Sequence, residues 1–534
     1  MKVLYVSMTH EQTEESAKII SYEIVDGDGE LVKSGNDIES MIKYLASIVP
    51  CRVYCHNLNF YGEFIIYWLM TNEYKYTMEK PTGKEFTSLI SSEGNIYNIN
   101  ISARNTKKGR NAILCIQDSE KLIPINIDEL PKAFGIDPNL SPAVILSQAV
   151  GKMLQQGFFK RTIGSNALAM LKEMTLGYDR LFPDITEIDS YLREAYGGAF
   201  LYCNPKIKDI EITEGGVSLD INSLYPYVLD TYDMPFGYPI HFEGNYNENV
   251  TDTAKKYYPL YVQRFEASFE LKEGKFPIIQ DKDVFNTTQY IYETGMEPME
   301  LTLTSVELEL FLETYEIYNI RYIDGYMFQA KKDMFKNYID YWRNLKEEAD
   351  KTGNKAQRKI AKLFLNNIGG KFATKLQFQS RYPIIDFDGA ITYRKNPVRN
   401  VEGVYLPVAC FMISYAKIYL IRIAEKCYDR FLYSDTDSLH IKGREIPDFI
   451  PIHPTKFGCF KIEHYFIKGK YLHAKCYAEI TDDGEVKTAI SGLPKEIQQK
   501  INYEDFHTGK SVDGKLIPFN VPGGAKLVPA RYTL

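Results

Sequence analysis

The runs MKVLYVSM and SAKIISYEIV are strand-like, while EFIIYWLM reads as a buried helix, so residues 1–130 are expected to be α/β. The turn-rich FGIDPNLSP leads into the helical AVILSQAVGKMLQQGFF. SNALAMLKEM and the polar run after it join this part to the next. From about residue 190 the character changes. VSLDINSLYPYVL turns from strand to helix, and strand-like FEASFEL and YNIRYIDGYMF flank the helix SVELELFLETY. Residues 338–373 form one long basic helical stretch, and RFLYSDTDSLHIKG is a hairpin of apolar strands around an acidic turn. The tail carries the turn signal VPGG and a short strand; no internal repeat or low-complexity tract interrupts the pattern.

A chain of 534 residues has room for two to four domains. The net charge of −7 argues weakly against nucleic acid, but a whole-chain sum says nothing about local patches. The 8 cysteines are scattered, and the Cys51/Cys55 pair lacks a matching second pair, which argues against a zinc site and fits a reducing, cytoplasmic setting. Neither a signal-peptide layout nor the roughly 18 apolar residues needed to cross a bilayer is evident, so no membrane partner is expected.

The acidic positions carry the chemistry. Asp220 closes the strand VSLD, on the same face as Ser218. Asp435 and Asp437 are two apart on the hairpin and can project to one side. Side-by-side carboxylates are costly unless a cation neutralises them, and three of them on neighbouring strands suit two Mg²⁺ ions roughly 3.5–4 Å apart. An isolated DTD is an ordinary solvated turn; its bracketing by Tyr433 and Ser438, and the earlier Asp220–Pro226 motif, change that reading. In DINSLYP the strand-to-helix turn exposes backbone N–H groups, from Leu224 onward, to a triphosphate. Tyr225 is placed to sit under the sugar, where its ring would clash with a 2′-hydroxyl; a core tyrosine is the plain alternative.

In KAQRKIAKLFLNNIGGKF, Arg358, Lys362 and Asn366 are spaced by four and line one helix face. From Lys351 to Arg381 there are eight basic residues and no acid, the local patch hidden by the net charge.

Taken in order, these motifs resemble family B DNA polymerases, in the protein-primed branch of small tailed phages and linear plasmids. D-x-x-S-L-Y-P spans Asp220 to Pro226, K-x-x-x-N-S-x-Y-G spans Lys362 to Gly370, and Y-x-D-T-D-S spans Tyr433 to Ser438. Y-x-G-G/A is Tyr196 to Ala199, K-x-Y is Lys475 to Tyr477, and the closing VPGG is Val521 to Gly524. The resemblance implies an α/β and α+β multidomain fold: an RNase H-like, exonuclease-type N-terminal domain, then a right-hand palm, fingers and thumb with two insertions. The expected boundaries are 1–165 for the exonuclease-like domain, 166–190 for a connector, 191–263 and 407–490 for the palm, and 264–337 for the first insertion. Fingers follow at 338–373, the second insertion at 374–406, and the thumb at 491–534.

The resemblance also implies roles. Asp220 and Asp437 are the main metal ligands with Asp435 beside them, binding two Mg²⁺ for which Mn²⁺ can substitute. Leu224, Tyr225, Arg358 (a Lys in relatives), Lys362 and Asn366 meet the dNTP. Lys475 and Tyr477 hold the primer, and Tyr196 and Gly198 the template. The implied partners are primer and template DNA, dNTPs and a terminal protein that docks on the first insertion, with the chain itself a monomer. The second insertion implies processivity and strand displacement.

Two departures stand out. HNLNFYGEFI resembles the second exonuclease motif H-N-x-x-F-D-G, but Tyr61 stands where its Asp belongs; Ser7-Met8-Thr9 replaces D-F-E, and PNLSPAVIL lacks the Tyr and Asp of the third motif. Proofreading is therefore expected to be absent, with Asn57 and Phe60 left to bind single-stranded DNA or to support the fold; Glu11 and Glu63 fit the acidic pattern poorly. In the fingers, Asn367 and Gly369 replace the family Ser and Tyr, which is expected to loosen the base-pair pocket. Two readings compete with a templated polymerase: a non-catalytic nucleic-acid-binding relic, which has no need of three metal-binding acids, and a template-independent nucleotidyltransferase, separable by the sequence of its product.

Overall fold

The computed structural model describes residues 1–104, 109, 111–281, 289–401 and 403–534. The parts of the expected N-terminal domain and the two insertions at 105–108, 110, 282–288 and 402 lie outside the described residues.

The N-terminal domain is built on the strand Lys2–Gln12, antiparallel to Ala17–Val25 and parallel to Cys51–Cys55, which is parallel to Asn111–Asp118. Side chains alternate as a strand requires. Leu4, Val6 and Met8 enter one core with the helices Ile38–Ser47 and Leu58–Thr71, whereas Tyr5 joins the core on the other face with Pro142–Gln155. The sheet continues into the second insertion: Arg381–Ile385 pairs with Ile391–Lys395 and joins the edge strand Glu85–Ile90 at Arg381↔Ile90. The insertion thereby covers an edge that would otherwise expose unpaired backbone groups.

The C-terminal strand is half of a long hairpin, Ser511–Val521 with Gly524–Thr533, rather than a lone short strand. Its VPGG tip docks on the N-terminal domain. Ala17 N–H donates to Pro522 O at 3.1 Å, and Leu527 N–H donates to Gln12 Oε1 at 2.7 Å. Gly523, at φ +95°, lies so close that a Cβ would sit 1.9 Å from Ala17 O, which restricts the position to glycine.

N-terminal domain, second insertion and thumb meet at Glu63. Its carboxylate, 6% exposed, accepts from Tyr393 Oη at 2.7 Å and from Asn520 Nδ2 at 3.2 Å. Burial pushes its pKa up to about 7. The folded protein therefore holds a proton that the unfolded chain has lost, and stability falls as pH rises from the ordinary carboxylate range to about 7, then levels off. Glu63→Gln keeps an acceptor without the charge. We expect it to melt like the wild type near pH 5 and to be more stable by about 2 kcal/mol at pH 8; parallel melting curves at both pH values would contradict this.

The palm sheet runs in the order Val486–Ile490, Cys476–Thr481, Phe460–His473, Gly216–Ile221, Ser438–Lys442, Phe431–Asp435, Leu201–Cys203. Val217, Leu219 and Ile221 of the central strand are buried in the core. Against the palm lies the helix Leu406–Glu425, which is long and apolar enough to cross a membrane by length and composition, contrary to expectation, but is mostly buried by neighbouring elements. We read it as a core helix.

Within residues 264–337, Met299–Thr304 and Tyr315–Lys331 share a four-stranded sheet with Leu260–Leu271 and Met234–Glu243, in the order Met234–Glu243, Tyr315–Lys331, Leu260–Leu271, Met299–Thr304. The expected single fingers helix is two, Lys336–Thr352 and Lys355–Phe372. Gly353 at φ +68° ends the first, and Asn354 caps the second by accepting from Gln357 N–H at 3.1 Å. Trp342 stacks on Phe364 at 4.1 Å and ties the pair together.

Candidate active site

Asp220 lies next to the end of the central palm strand, which continues to Ile221. In register it faces Ser438 on one neighbour and Lys461 on the other. The DTD turn is tight: Thr436 adopts φ +63°, and Asp437 N–H donates back to Asp435 O at 2.7 Å. Two bonds aim this turn. Ile221 N–H donates to Asp437 O at 2.7 Å, and Thr436 N–H donates to Phe200 O at 2.9 Å. The first carries Asp437 to Asp220, and the second locks the turn to the segment that follows Tyr196–Ala199.

The carboxylates sense one another. Burial, then Asp220 and Asp435, pushes Asp437 up to about 7. Burial also raises Asp220, with Lys461 Nζ at 3.0 Å and Lys362 pulling the other way. Lys475 Nζ lies 3.8 Å from Asp435. Among the described residues no set of three His, Cys, Asp or Glu side chains closes into a ready-made metal cage. The oxygen donors nevertheless fit Mg²⁺, which binds through one or two carboxylates and completes its shell with water and substrate phosphates. The repulsion within the trio is what such a cation would relieve. Below about pH 7 a cation held there would have to displace the Asp437 proton. We expect Mn²⁺ binding, measured with primer-template and a non-hydrolysable dNTP, to strengthen from pH 6 to pH 8. Calorimetry in two buffers should show proton release at pH 6 that fades by pH 8; equal affinity and no release would contradict it.

The strand Gly216–Ile221 passes into the helix Leu224–Thr231 through Ser223, at φ +51° with no side-chain cap, which leaves the first-turn amides uncapped by a side chain. Asn222 pins the turn, donating from Nδ2 to His453 O at 2.8 Å. Leu224 itself is buried, so only its backbone can meet a nucleotide. Tyr225 is half-buried; burial, then Asp437, pushes its hydroxyl up to about 12, with Tyr196 and Asp435 adding to the effect.

On the second fingers helix, Arg358, Lys362 and Asn366 are all exposed. Lys362 faces the palm closely enough to act on Asp220. Arg358 is ion-paired, its Nε 2.6 Å from Asp350 Oδ1, an acid one residue outside the acid-free window. Position 369 was expected to face the nascent base pair. Instead Gly369 is buried, and a Cβ there would lie 2.5 Å from Met412 Sδ. Met412 fills the space beside it, so the substitution leaves packed core rather than an open pocket.

Tyr433 is fully buried, and its hydroxyl accepts from Lys475 N–H at 2.8 Å, which fixes the Lys475–Tyr477 segment beside the acids. Tyr477 packs on Tyr433 and His440 at 5.1 and 4.8 Å. Below them Glu479 holds His440 Nδ1 at 2.7 Å and His464 Nε2 at 2.6 Å. Tyr196 is half-buried; Gly198 N–H already donates to Gln280 Oε1 of the first insertion at 2.8 Å.

Sequence reasoning missed Lys461, Lys346 and Glu479. Alternation in FKIEHYF puts Lys461 and Glu463 on one strand face, but only the register reveals Asp220 opposite.

Ser7, Met8, Thr9, Asn57 and Tyr61 line one cleft of about 590 Å³ in the N-terminal domain, together with Glu23, Glu120 and Asp128. Phe60 is turned inward, 4% exposed and edge-on to His10 at 4.7 Å, so its ring has no face to offer a base; its role is in the core. Asn57, at φ +58°, remains exposed. Glu11 pairs with Lys18 on the surface, and Glu63 is committed to the three-way junction.

A palm sheet with clustered carboxylates, a pair of helices over it of which Lys355–Phe372 is basic, and a thumb hairpin define a right-hand nucleotide polymerase. A family model described as DNA polymerase type B, organellar and viral, matches residues 145–452. The DNA polymerases of Bacillus phage M2 and Bacillus phage Nf are each 33% identical over 550 residues, covering 94% of this chain and 94% of theirs. Phi29 DNA polymerase, solved with primer-template DNA and incoming nucleotide substrates, matches with a TM-score of 0.91 at 31% identity, covering 100% of this chain and 99% of that one. The chain belongs to the organellar and viral type B DNA polymerases.

Proposed function

We propose that this DNA polymerase is protein-primed, extends its primer by two-metal phosphoryl transfer, and does not proofread. The observation that carries the reading is the register that sets Asp220 beside Asp437, with Lys362 acting on Asp220 from the fingers. Asp220 and Asp437, with Asp435 adjacent, would hold two Mg²⁺ or Mn²⁺ ions, which supply activation of the primer hydroxyl and stabilisation of the leaving pyrophosphate. The Leu224 and Tyr225 amides, Lys362, Arg358 and Asn366 orient the triphosphate. Arg358 must first leave Asp350. Tyr225 excludes a ribose 2′-hydroxyl, Lys475 and Tyr477 hold the primer end, and Tyr196 and Gly198 guide the template. Asn57 contacts single-stranded DNA.

Phi29 DNA polymerase has been solved with primer-template DNA, which supports the DNA partner. We assign a terminal protein as the first primer, a monomeric enzyme, and a site of action in the bacterial cytoplasm. Ser7, Thr9 and Tyr61 occupy the motif positions at which two-metal hydrolysis would need acids, and the acids that do line the same cleft, Glu23, Glu120 and Asp128, lie outside those motifs.

The test is extension on a singly primed template with four dNTPs, followed by sequencing of the product. The complement of the template is expected, and a product unrelated to it would contradict the reading. In the same buffer a 5′-labelled single strand should stay full length; Mg²⁺-dependent shortening would contradict the absence of proofreading.

A further inference from the structure

Four cations gather between palm and fingers, and one of them is already engaged with the catalytic acids. Lys461 lies directly across from Asp220 in the sheet, its Nζ 3.0 Å from Asp220 Oδ2 and 2.5 Å from Glu463 Oε1. Its side chain is 37% exposed, so its four-carbon stem has room to move. Its charge also reaches Lys346 on the first fingers helix, a lysine whose pKa is lowered by burial, then by Arg358, with Lys362 and Lys461 adding to the effect. Lys346 in turn sits over the Phe457 ring at 5.5 Å. Lys461 thus stands between two fields, the carboxylates behind it and the mutually repelling cations in front. Like charges held together in this way favour an anion among them.

We infer that Lys461 is the palm's own counter-cation, neutralising Asp220 in the waiting enzyme and transferring to the phosphates of the incoming nucleotide when a divalent cation takes its place. The inference rests on the polymerase reading of the site. An ammonium in hydrogen-bond contact with Asp220 competes with a metal ion for the same oxygen. Metal binding without nucleotide must break that contact and release Lys461 beside Lys346, Lys362 and Arg358. A triphosphate removes the penalty, because it places an anion among Lys461, Lys346 and Lys362 and draws Arg358 from Asp350. Glu463 keeps Lys461 within reach of both positions. The exchange breaks no covalent bond and moves no proton; one ion pair replaces another. Metal and nucleotide would accordingly bind cooperatively, each favouring the state in which Lys461 has left Asp220.

Mn²⁺ binding to the full chain with primer-template DNA but no nucleotide, followed by calorimetry, tests this. Lys461→Met keeps the stem without the charge, and Lys461→Arg keeps the charge. Lys461→Met should bind Mn²⁺ on the order of tenfold more tightly than wild type, and a non-hydrolysable dNTP on the order of tenfold more weakly. Lys461→Arg should stay near wild type in both. Unchanged or weaker Mn²⁺ binding by Lys461→Met, or unchanged nucleotide binding, would overturn the inference. If Lys461→Met does not fold, Lys461→Gln carries the same expectations and the same contradicting results. The underlying reading fails separately: Asp437→Ala would then bind Mn²⁺ as well as wild type.

Discussion

Asp437→Ala lowers the rate of primer extension by on the order of 10³-fold or more, roughly 4 kcal/mol of transition-state stabilisation, and leaves the protein folded. The asymmetry follows from the site. Asp437 occupies a turn whose shape is fixed by backbone bonds, from Asp437 N–H to Asp435 O and from Ile221 N–H to Asp437 O, and neither uses its side chain. Its carboxylate is held beside Asp220 and Asp435 against the preference of all three, so its loss relieves repulsion. The melting temperature should be unchanged or slightly raised while chemistry is lost. Single-turnover extension and thermal melting on the same preparation check both halves. Extension within tenfold of wild type would remove Asp437 from the machinery, and a collapsed fold would make the turn structural.

Tyr225→Val should lower discrimination against ribonucleotides by on the order of 100-fold, with a smaller effect on correct dNTP incorporation. Tyr225 follows the left-handed Ser223 at the start of its helix, close enough to Asp437 and Asp435 for both to act on its hydroxyl. A ring at that point shares the space into which a 2′-hydroxyl would project. A smaller side chain opens the space without touching the acids. The ratio of kcat/KM for a dNTP and its matching rNTP measures the effect. An unchanged ratio would make Tyr225 a packing residue only.

The convergence of Asp220, Asp435 and Asp437 was legible because the pattern that signals it is local. Two acids two apart in a hairpin, and a third at a strand-to-helix turn, keep their meaning without knowledge of the fold. The strands Lys2–Gln12 and Ala17–Val25 and the helix Leu58–Thr71 were legible from their apolar runs. What depended on register or on distant packing was not. Lys461 and Asp220 are far apart in sequence and meet only through cross-strand pairing. The second insertion reads as a separate module, yet Arg381 extends the N-terminal sheet. Gly369 reads as a missing ring until Met412 is found against it. Glu63 read only as an acid that fits the exonuclease pattern poorly, because its partners Tyr393 and Asn520 come from two other regions of the chain. The break at Gly353-Asn354 carried a helix stop followed by a helix start, and the continuous basic character of the stretch masked it.

The most direct measurement is a crystal structure with primer-template DNA, a non-hydrolysable dNTP and Mn²⁺, read by anomalous scattering. Two peaks should lie about 2.1 Å from carboxylate oxygens of Asp220 and Asp437, bridged by the triphosphate. Nucleotide bound in the palm with no peak against either carboxylate would contradict the account.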